Sequence, residues 1–191
     1  RLHTEFSISD GLVTIKPLLQ RLQKLSMPAV AITDISNLFG LIKFYSGAIK
    51  SGIKPICGCD VPVVNAEGLR THLVLLVKNH TGYLNLTNII SDLYTEAESH
   101  GDPLLQISKL TGRTEGLIAL SGAQHSDIGS ALLGAENELA KSFLQSWQQL
   151  FPDSFYLELQ RVGKADEEIY IEAAVNLAIE AQCPVVASND V

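Results

Sequence analysis

The chain has no membrane-length apolar run, no glycine-rich phosphate loop, no paired cysteine framework and no excess of positive charge. Its longest apolar stretches, such as Leu73–Val77, are of strand length, so no segment reads as a transmembrane helix. Residues Arg1 to Phe6 enter directly on a strand-like pattern and do not form a signal peptide. The three cysteines, Cys57, Cys59 and Cys183, make an odd set, which speaks against a disulfide scaffold and for a reducing cytoplasm. Cys57-x-Cys59 lacks zinc-knuckle spacing, and on a strand the two thiols point to opposite faces. Gly47, Gly52 and Gly58 match no phosphate-wrapping spacing, and no Ser or Cys lies in a nucleophile elbow. With 14 Lys and Arg against 21 Asp and Glu, the formal charge is −7. A domain built to grip duplex phosphates carries the opposite balance, and here the basic residues are also scattered.

What is present is a core-forming mixture. Of 191 residues, 46% are hydrophobic and 18% charged, which fits one domain, residues 1–191. The first residue is Arg and the last five, Ala187-Ser188-Asn189-Asp190-Val191, read as the middle of an element, so the expectation is a piece of a longer protein, incomplete at its C-terminal end. Strand and helix patterns alternate. Leu2–Phe6 reads as a short strand and Leu12–Leu25 has helical apolar spacing. Ala29–Thr33 is a continuous apolar run of the kind covered on both faces. Leu41–Ile49 is helical and stops at Ser51-Gly52, where glycine suits a left-handed cap. Ile53–Val64 is extended, and His72–Lys78 is a buried strand. Thr81 is placed to cap a helix running to about Glu98, which His100-Gly101-Asp102-Pro103 breaks. Leu117–Ser121, Phe155–Gln160 and Val185–Ser188 read as strands, with helices over Ile128–Leu133, Glu136–Phe151 and Asp166–Gln182. This order predicts an α/β fold with a parallel sheet and right-handed crossovers, open to closure as a barrel.

Several polar residues fall at strand ends: His3, Asp10, Asp34, Asp60, His72 and Asp190. In a parallel barrel these positions converge on one mouth, and imidazoles with carboxylates suit Zn²⁺, Mn²⁺ or Fe²⁺. Each also has a plainer reading: Asp10 before Gly11 as a turn residue, Asp34 as a loop cap, His72 as a core imidazole. His80 and His100 read as solvated loop residues, and His125 is the remaining histidine placed to reach a pocket. Glu5 and Asp10 form only a weak acid/base pair.

The string His3-Thr4-Glu5-Phe6-Ser7-Ile8-Ser9-Asp10-Gly11 resembles the opening of the polymerase-and-histidinol-phosphatase (PHP) domain, and most closely the form at the N-terminus of bacterial replicative polymerases of the DNA polymerase III alpha type. Met27–Asp34, Asn37–Gly40, Gly52–Gly58, His72–Leu76, Gly82–Leu86, Gly116–Gly122, Phe155–Leu159 and Ser188–Val191 continue the match in order along the whole chain. The resemblance implies a distorted seven-stranded β/α barrel. In active members three metals at the strand ends serve phosphoester hydrolysis, including 3′–5′ exonuclease proofreading, through a metal-bound hydroxide.

The same resemblance exposes departures. Active members open with His-x-His, where this chain has Arg1 and His3. They carry Asp-His where Asp34-Ile35 stands, usually Glu at Asp60, Cys at Ala123 and His at Val162. His3, Asp10, Asp60, His72 and Asp190 survive as remnant metal positions, and Arg1, Ile35, Ala123 and Val162 are the lost ones. No catalytic residue is assigned. Arg1 places a permanent cation where a ligand belongs and can pair with Asp10 or Asp190 in the metal's stead. A full cluster is not expected; a single weak divalent metal (Zn, Mn or Mg) at His3, Asp10 and His72 is the most that fits. What the resemblance implies for function is a cytoplasmic scaffold domain of a DNA-directed DNA polymerase. It would dock a proofreading exonuclease (epsilon) subunit, pack against the rest of the alpha chain and leave DNA contacts to other domains. The alternative is an active metal-dependent phosphoesterase or exonuclease, or a pyrophosphatase.

Overall fold

The computed structural model describes residues 1–8, 11–66, 68–95 and 103–191. Its elements are α1 (Ile15–Lys24), β1 (Ala29–Ile32), α2 (Leu41–Lys50), β2 (Lys54–Val64), β3 (Arg70–Val77), α3 (His80–Thr95), β4 (Leu105–Gln106), β5 (Leu117–Leu120), α4 (Asp127–Leu133), α5 (Asn137–Leu150), β6 (Phe155–Gln160), α6 (Glu167–Glu180) and β7 (Val185–Ser188). The strands form one curled sheet in the order β1-β2-β3-β5-β6-β7, with β4 paired to the far end of β2. This is the expected α/β barrel-like architecture. Among the described residues, no helix is long and apolar enough to cross a membrane.

The sheet is not all parallel, as the alternation had predicted. β3 runs antiparallel to both β2 and β5, while β1–β2, β5–β6 and β6–β7 are parallel. The link between β2 and β3 holds only residues 65–69. That is too short for a crossover, so the chain must return as a hairpin. The reversal sets Asp60 of β2 opposite Val74 of β3 and Pro62 opposite His72. Both polar residues therefore lie on one face of the ribbon, two residues apart in register.

The other face carries the larger core. Cys59, Val61 and Val63 of β2 and Leu73 and Leu75 of β3 pack with Leu86, Ile89 and Leu93 of α3 and with Trp147 and Phe151 of α5. Trp147 stacks on Phe155 with ring centroids 5.8 Å apart. A smaller core joins Ile15, Leu19 and Leu22 of α1 to Ile32, Leu41, Phe44, Ala48 and Ile53. The i, i+4, i+7 spacing of the α1 residues is what turns one stripe of that helix inward. Gly52 closes α2 at φ +68, the left-handed position expected of it.

Three local expectations change. Leu2–Phe6 is not a regular strand: a 3-10 turn spans Glu5–Ser7, and Thr4 makes only an isolated bridge with Val13. Asp34 is the cause, because its buried carboxylate accepts from Thr4 N (2.6 Å), Thr4 Oγ1 (2.9 Å) and Ser7 Oγ (2.8 Å), which bends the chain around it. The start of α3 is capped by Asn79, whose Oδ1 accepts from Gly82 N at 3.0 Å, rather than by Thr81. His80 is the first residue of that helix, exposed and stacked on Tyr83, not a loop residue. The predicted end of this helix near Glu98, and His100 with the Gly101-Asp102 break, lie outside the described residues.

Residues 1–4 nonetheless act as a closing ribbon. His3 N donates to Val191 O at 2.9 Å, and Thr33 N donates to Leu2 O at 3.1 Å. Leu2 N donates to Thr33 Oγ1 at 2.7 Å. The N-terminal segment therefore bridges the continuation of β1 to the segment after β7. Thr33→Val keeps the side-chain shape but leaves the buried Leu2 N–H unpaired, a loss of about 1–3 kcal/mol. Urea unfolding should show that loss, and amide exchange at Leu2 and His3 should accelerate ahead of the core amides.

Candidate functional site

The geometry centres on Asp60, midway along the longest strand and fully buried. His3 Nε2 lies 3.2 Å from its Oδ2 and His72 Nδ1 lies 2.8 Å from its Oδ1. The Arg1 guanidinium reaches the same carboxylate, with Nη1 3.3 Å from Oδ2. Burial pushes the Asp60 carboxyl up, but the hydrogen bonds from His3 and His72 and the charge of Arg1 outweigh it, and the group titrates well below the usual carboxylate range.

Arg1 faces a second fully buried carboxyl. Its Nε is 3.8 Å from Glu158 Oε2, and its own side chain is only 10% exposed. Among the described residues the partners of Arg1 are therefore Asp60 and Glu158, not the Asp190 that was one of the two expected for it. Asp190, beyond β7, pairs instead with Lys164 at 2.8 Å, which holds its carboxyl low against partial burial. Asp10 lies outside the described residues. Glu158 Oε1 accepts from Ser188 Oγ and, at 3.4 Å, from Gln160 Nε2. Glu158 Oε2 and the Nε and Nη2 of Arg1 have no hydrogen-bond partner among the described residues. Gly122, at φ +93, lies directly beneath the guanidinium: a Cβ there would stand 3.0 Å from Nη2 and 2.6 Å from the His72 carbonyl oxygen. Only a residue without a side chain leaves space for the buried cation.

The structure thus brings His3, Asp60, His72 and Arg1 together and sets Asp190 and His125 at the rim. His125 is exposed. Partial burial, and then the positive charges of Lys164 and Arg1, lower its pKa. Asp34 sits on the neighbouring loop but spends its carboxylate on Thr4 and Ser7. Ile35 bridges Asp60 through the backbone, Ala123 is buried just past Gly122, and the Val162 amide is held by Glu167 at 3.0 Å. Glu5 pairs with Lys43 at 2.8 Å, and its expected acid/base partner Asp10 lies outside the described residues. Glu158 is the site residue not singled out as one beforehand. Its signal was available: a lone acid in the apolar run Phe155-Tyr156-Leu157-Glu158-Leu159, at a position facing opposite to the core residues Phe155 and Leu157.

The described residues, which leave out Asp10, do not present a set arranged for a multinuclear metal centre. One ring nitrogen each of His3 and His72 is turned onto Asp60, and the Arg1 guanidinium stands between the two buried carboxyls. Among the described residues, no group of three or more His, Cys, Asp or Glu side chains is arranged to hold a metal ion.

The PHP domain family model matches residues 1–162. The chain is 46% identical over 193 residues to the DNA polymerase III subunit alpha of Pseudomonas aeruginosa, covering 100% of the chain and 16% of that protein. It is 43% identical over 194 residues to that of Escherichia coli K12, covering 100% of the chain and 17% of that protein. The chain therefore spans about one sixth of the length of these curated relatives. Among solved structures, an amidohydrolase from Chromobacterium violaceum with bound sulfate and no metal superposes at TM-score 0.65 and 14% identity, over 98% of this chain and 85% of that one. A protein assigned as a metal-dependent phosphoesterase from Bifidobacterium adolescentis superposes at TM-score 0.56 and 13% identity, over 98% and 85%. At these identities the two structures speak to fold alone. The family model covers most of the length, and the chain belongs to the PHP domain family, in the form carried by DNA polymerase III alpha subunits.

Proposed function

We propose that this domain is a non-hydrolytic scaffold within a replicative DNA polymerase III alpha chain, where it supports the polymerase and docks the proofreading exonuclease subunit. One observation carries the first half of that reading: the Arg1 guanidinium, nine-tenths buried, stands against Asp60 and Glu158. Two buried carboxyls need a cation. A PHP hydrolase supplies that charge with metals, which also deliver the attacking oxygen; a guanidinium supplies the charge and nothing else, because it neither ligates water nor gives up a proton near neutral pH. Ile35, Ala123 and Val162 add no donor. The docking role rests on the kinship with alpha subunits. His3, Asp60 and His72 favour the second reading, a residual metal-dependent phosphoesterase, exonuclease or pyrophosphatase, since they keep imidazole and carboxylate chemistry at the mouth.

The two readings part on simple measurements. The scaffold reading expects no chelator-sensitive release of phosphate from 4-nitrophenyl phosphate or pyrophosphate and no 3′-nucleotide excision by the domain with added Zn²⁺ or Mn²⁺. Turnover that EDTA removes and His72→Ala abolishes would establish the hydrolase instead. Docking is tested by titrating the exonuclease subunit onto the alpha chain with and without this domain, and equal affinity for both would end that half of the reading.

Substituting the cation should recreate a need for metal. Arg1→Ala leaves a buried carboxylate cluster uncompensated, a loss on the order of 3–5 kcal/mol. Its thermal midpoint should fall, and millimolar Mn²⁺ or Zn²⁺ should restore part of the loss while leaving the wild type unchanged. A variant whose midpoint ignores divalent cations would contradict the charge-replacement account.

The pH dependence has a fixed sign. Asp60 titrates lower in the fold than in the unfolded chain, so its contribution to stability is complete above the unfolded carboxyl value of about 3.9 and fades as the pH falls below it. The wild type should lose stability steeply below about pH 4. Asp60→Asn should be less stable at pH 7 and show a flatter acid limb in urea titrations.

A further inference from the structure

A cavity of about 660 Å³ lies between the end of β2, the 3-10 turn Ile107–Leu110 after β4, the start of α4 and one face of α5. That volume is within the range of small-molecule sites, roughly 300–1,000 Å³. Val64, Ile107, Phe143 and Trp147 form its apolar wall. Ser142 and Ser146, one helical turn apart on α5, stand at its exposed rim. Among the described residues, those lining it share none with the group around Asp60.

Asp127, the first residue of α4, lines this cavity and is only 5% exposed. Its Oδ2 accepts from Trp147 Nε1 at 2.9 Å, and its Oδ1 from Ile128 N at 2.8 Å. An ionised carboxyl has about four acceptor positions, so each oxygen keeps capacity for a further donor. The contrast with Asp60 and Glu158 is direct, because those two acids face the Arg1 guanidinium. Among the described residues no cation pairs with Asp127, and burial pushes its carboxyl up. A buried charge without a counter-charge is costly, and a cation entering the cavity removes that cost.

We propose that this cavity is a binding site for a small organic ammonium compound, its charged head against Asp127 and its apolar body against Ile107, Phe143 and Trp147. The site does not depend on the scaffold reading. An anion has nothing to pair with, because the described lining holds no Lys, Arg or His. A wholly apolar ligand would displace water from Asp127 and give it no partner. A single lysine or arginine side chain from another protein would leave much of the volume to water. An ammonium head on an apolar body satisfies both the carboxyl and the wall.

The probes are phenethylammonium, its neutral isostere phenethyl alcohol and the anion hydrocinnamate, titrated by calorimetry into the alpha chain that carries this domain. Phenethylammonium should bind at least about tenfold more tightly than either of the others, the margin that pairing a desolvated charge supplies. Asp127→Asn should remove that preference. Ser146→Phe, at an exposed position, should block the cavity and abolish binding with Asp127 intact, so a folding defect in the first variant cannot imitate the result; thermal midpoints check both. The 191-residue chain contains one tryptophan, so its indole N–H gives a single NMR resonance, which should shift on adding phenethylammonium. Equal binding of the alcohol, tighter binding of the anion, or no detectable binding of the amine at millimolar concentration overturns the proposal. So does wild-type amine affinity in both variants, or an indole resonance that the amine leaves unmoved.

Discussion

A carboxylate without solvent contact has to be answered by positive charge, and Asp60 imposes that condition on the centre of this domain. The idealised cost of placing such a group in a low-dielectric interior is far larger than the net stability of a domain, so the neighbours are not optional. Two imidazoles and a guanidinium converge on it from two separate parts of the chain. His3 and Arg1 arrive on the N-terminal ribbon, His72 on the reversed strand β3. Glu158, from β6, adds a second buried carboxyl and makes the guanidinium indispensable. The folding of the sheet and the assembly of this cluster are one problem: the register that pairs β2 with β3 also determines whether His72 reaches Asp60.

The surrounding packing is arranged to protect that cluster. The larger core lies on the opposite face of the β2–β3 ribbon, so apolar and charged interiors are separated by a single layer of backbone. Gly122, by lacking a side chain, leaves room for the guanidinium beside the main chain. Ser188 and Gln160 occupy one oxygen of Glu158 and leave the other turned to Arg1. Arg1, Ile35 and Val162 belong to neither hydrophobic core, whereas Ala123 is part of the larger one.

Much of this was legible in the residues. The strands with continuous apolar runs, Ala29–Ile32, Leu117–Leu120 and Phe155–Gln160, stand where their composition put them, and the glycine after α2 caps it as its conformational freedom suggests. The reversed strand was not read, because both β2 and β3 look buried and periodicity carries no direction; the five-residue link between them was the only local sign. The turn at Glu5–Ser7 was hidden for a different reason. It is caused by Asp34, nearly thirty residues away, and a long-range hydrogen bond leaves no trace in local pattern. The remnant positions His3, Asp60 and His72 do meet in space, whereas Arg1 chose partners that sequence order could not rank. Glu158 of β6 faces Arg1, while Asp190, one of the two acids expected for it, is taken by Lys164.

The ribbon of residues 1–4 is hydrogen-bonded to Val191 at one edge and to Thr33 at the other, and this has a kinetic meaning. A contact between positions 3 and 191 spans almost the whole chain, and closing so long a loop is entropically worthwhile only after the intervening strands are in place. Arg1 travels on that ribbon. The cation that faces Asp60 and Glu158 is thus carried by a segment whose hold depends on contacts distant in sequence, so loosening the ribbon at either edge also loosens the charge balance at the centre.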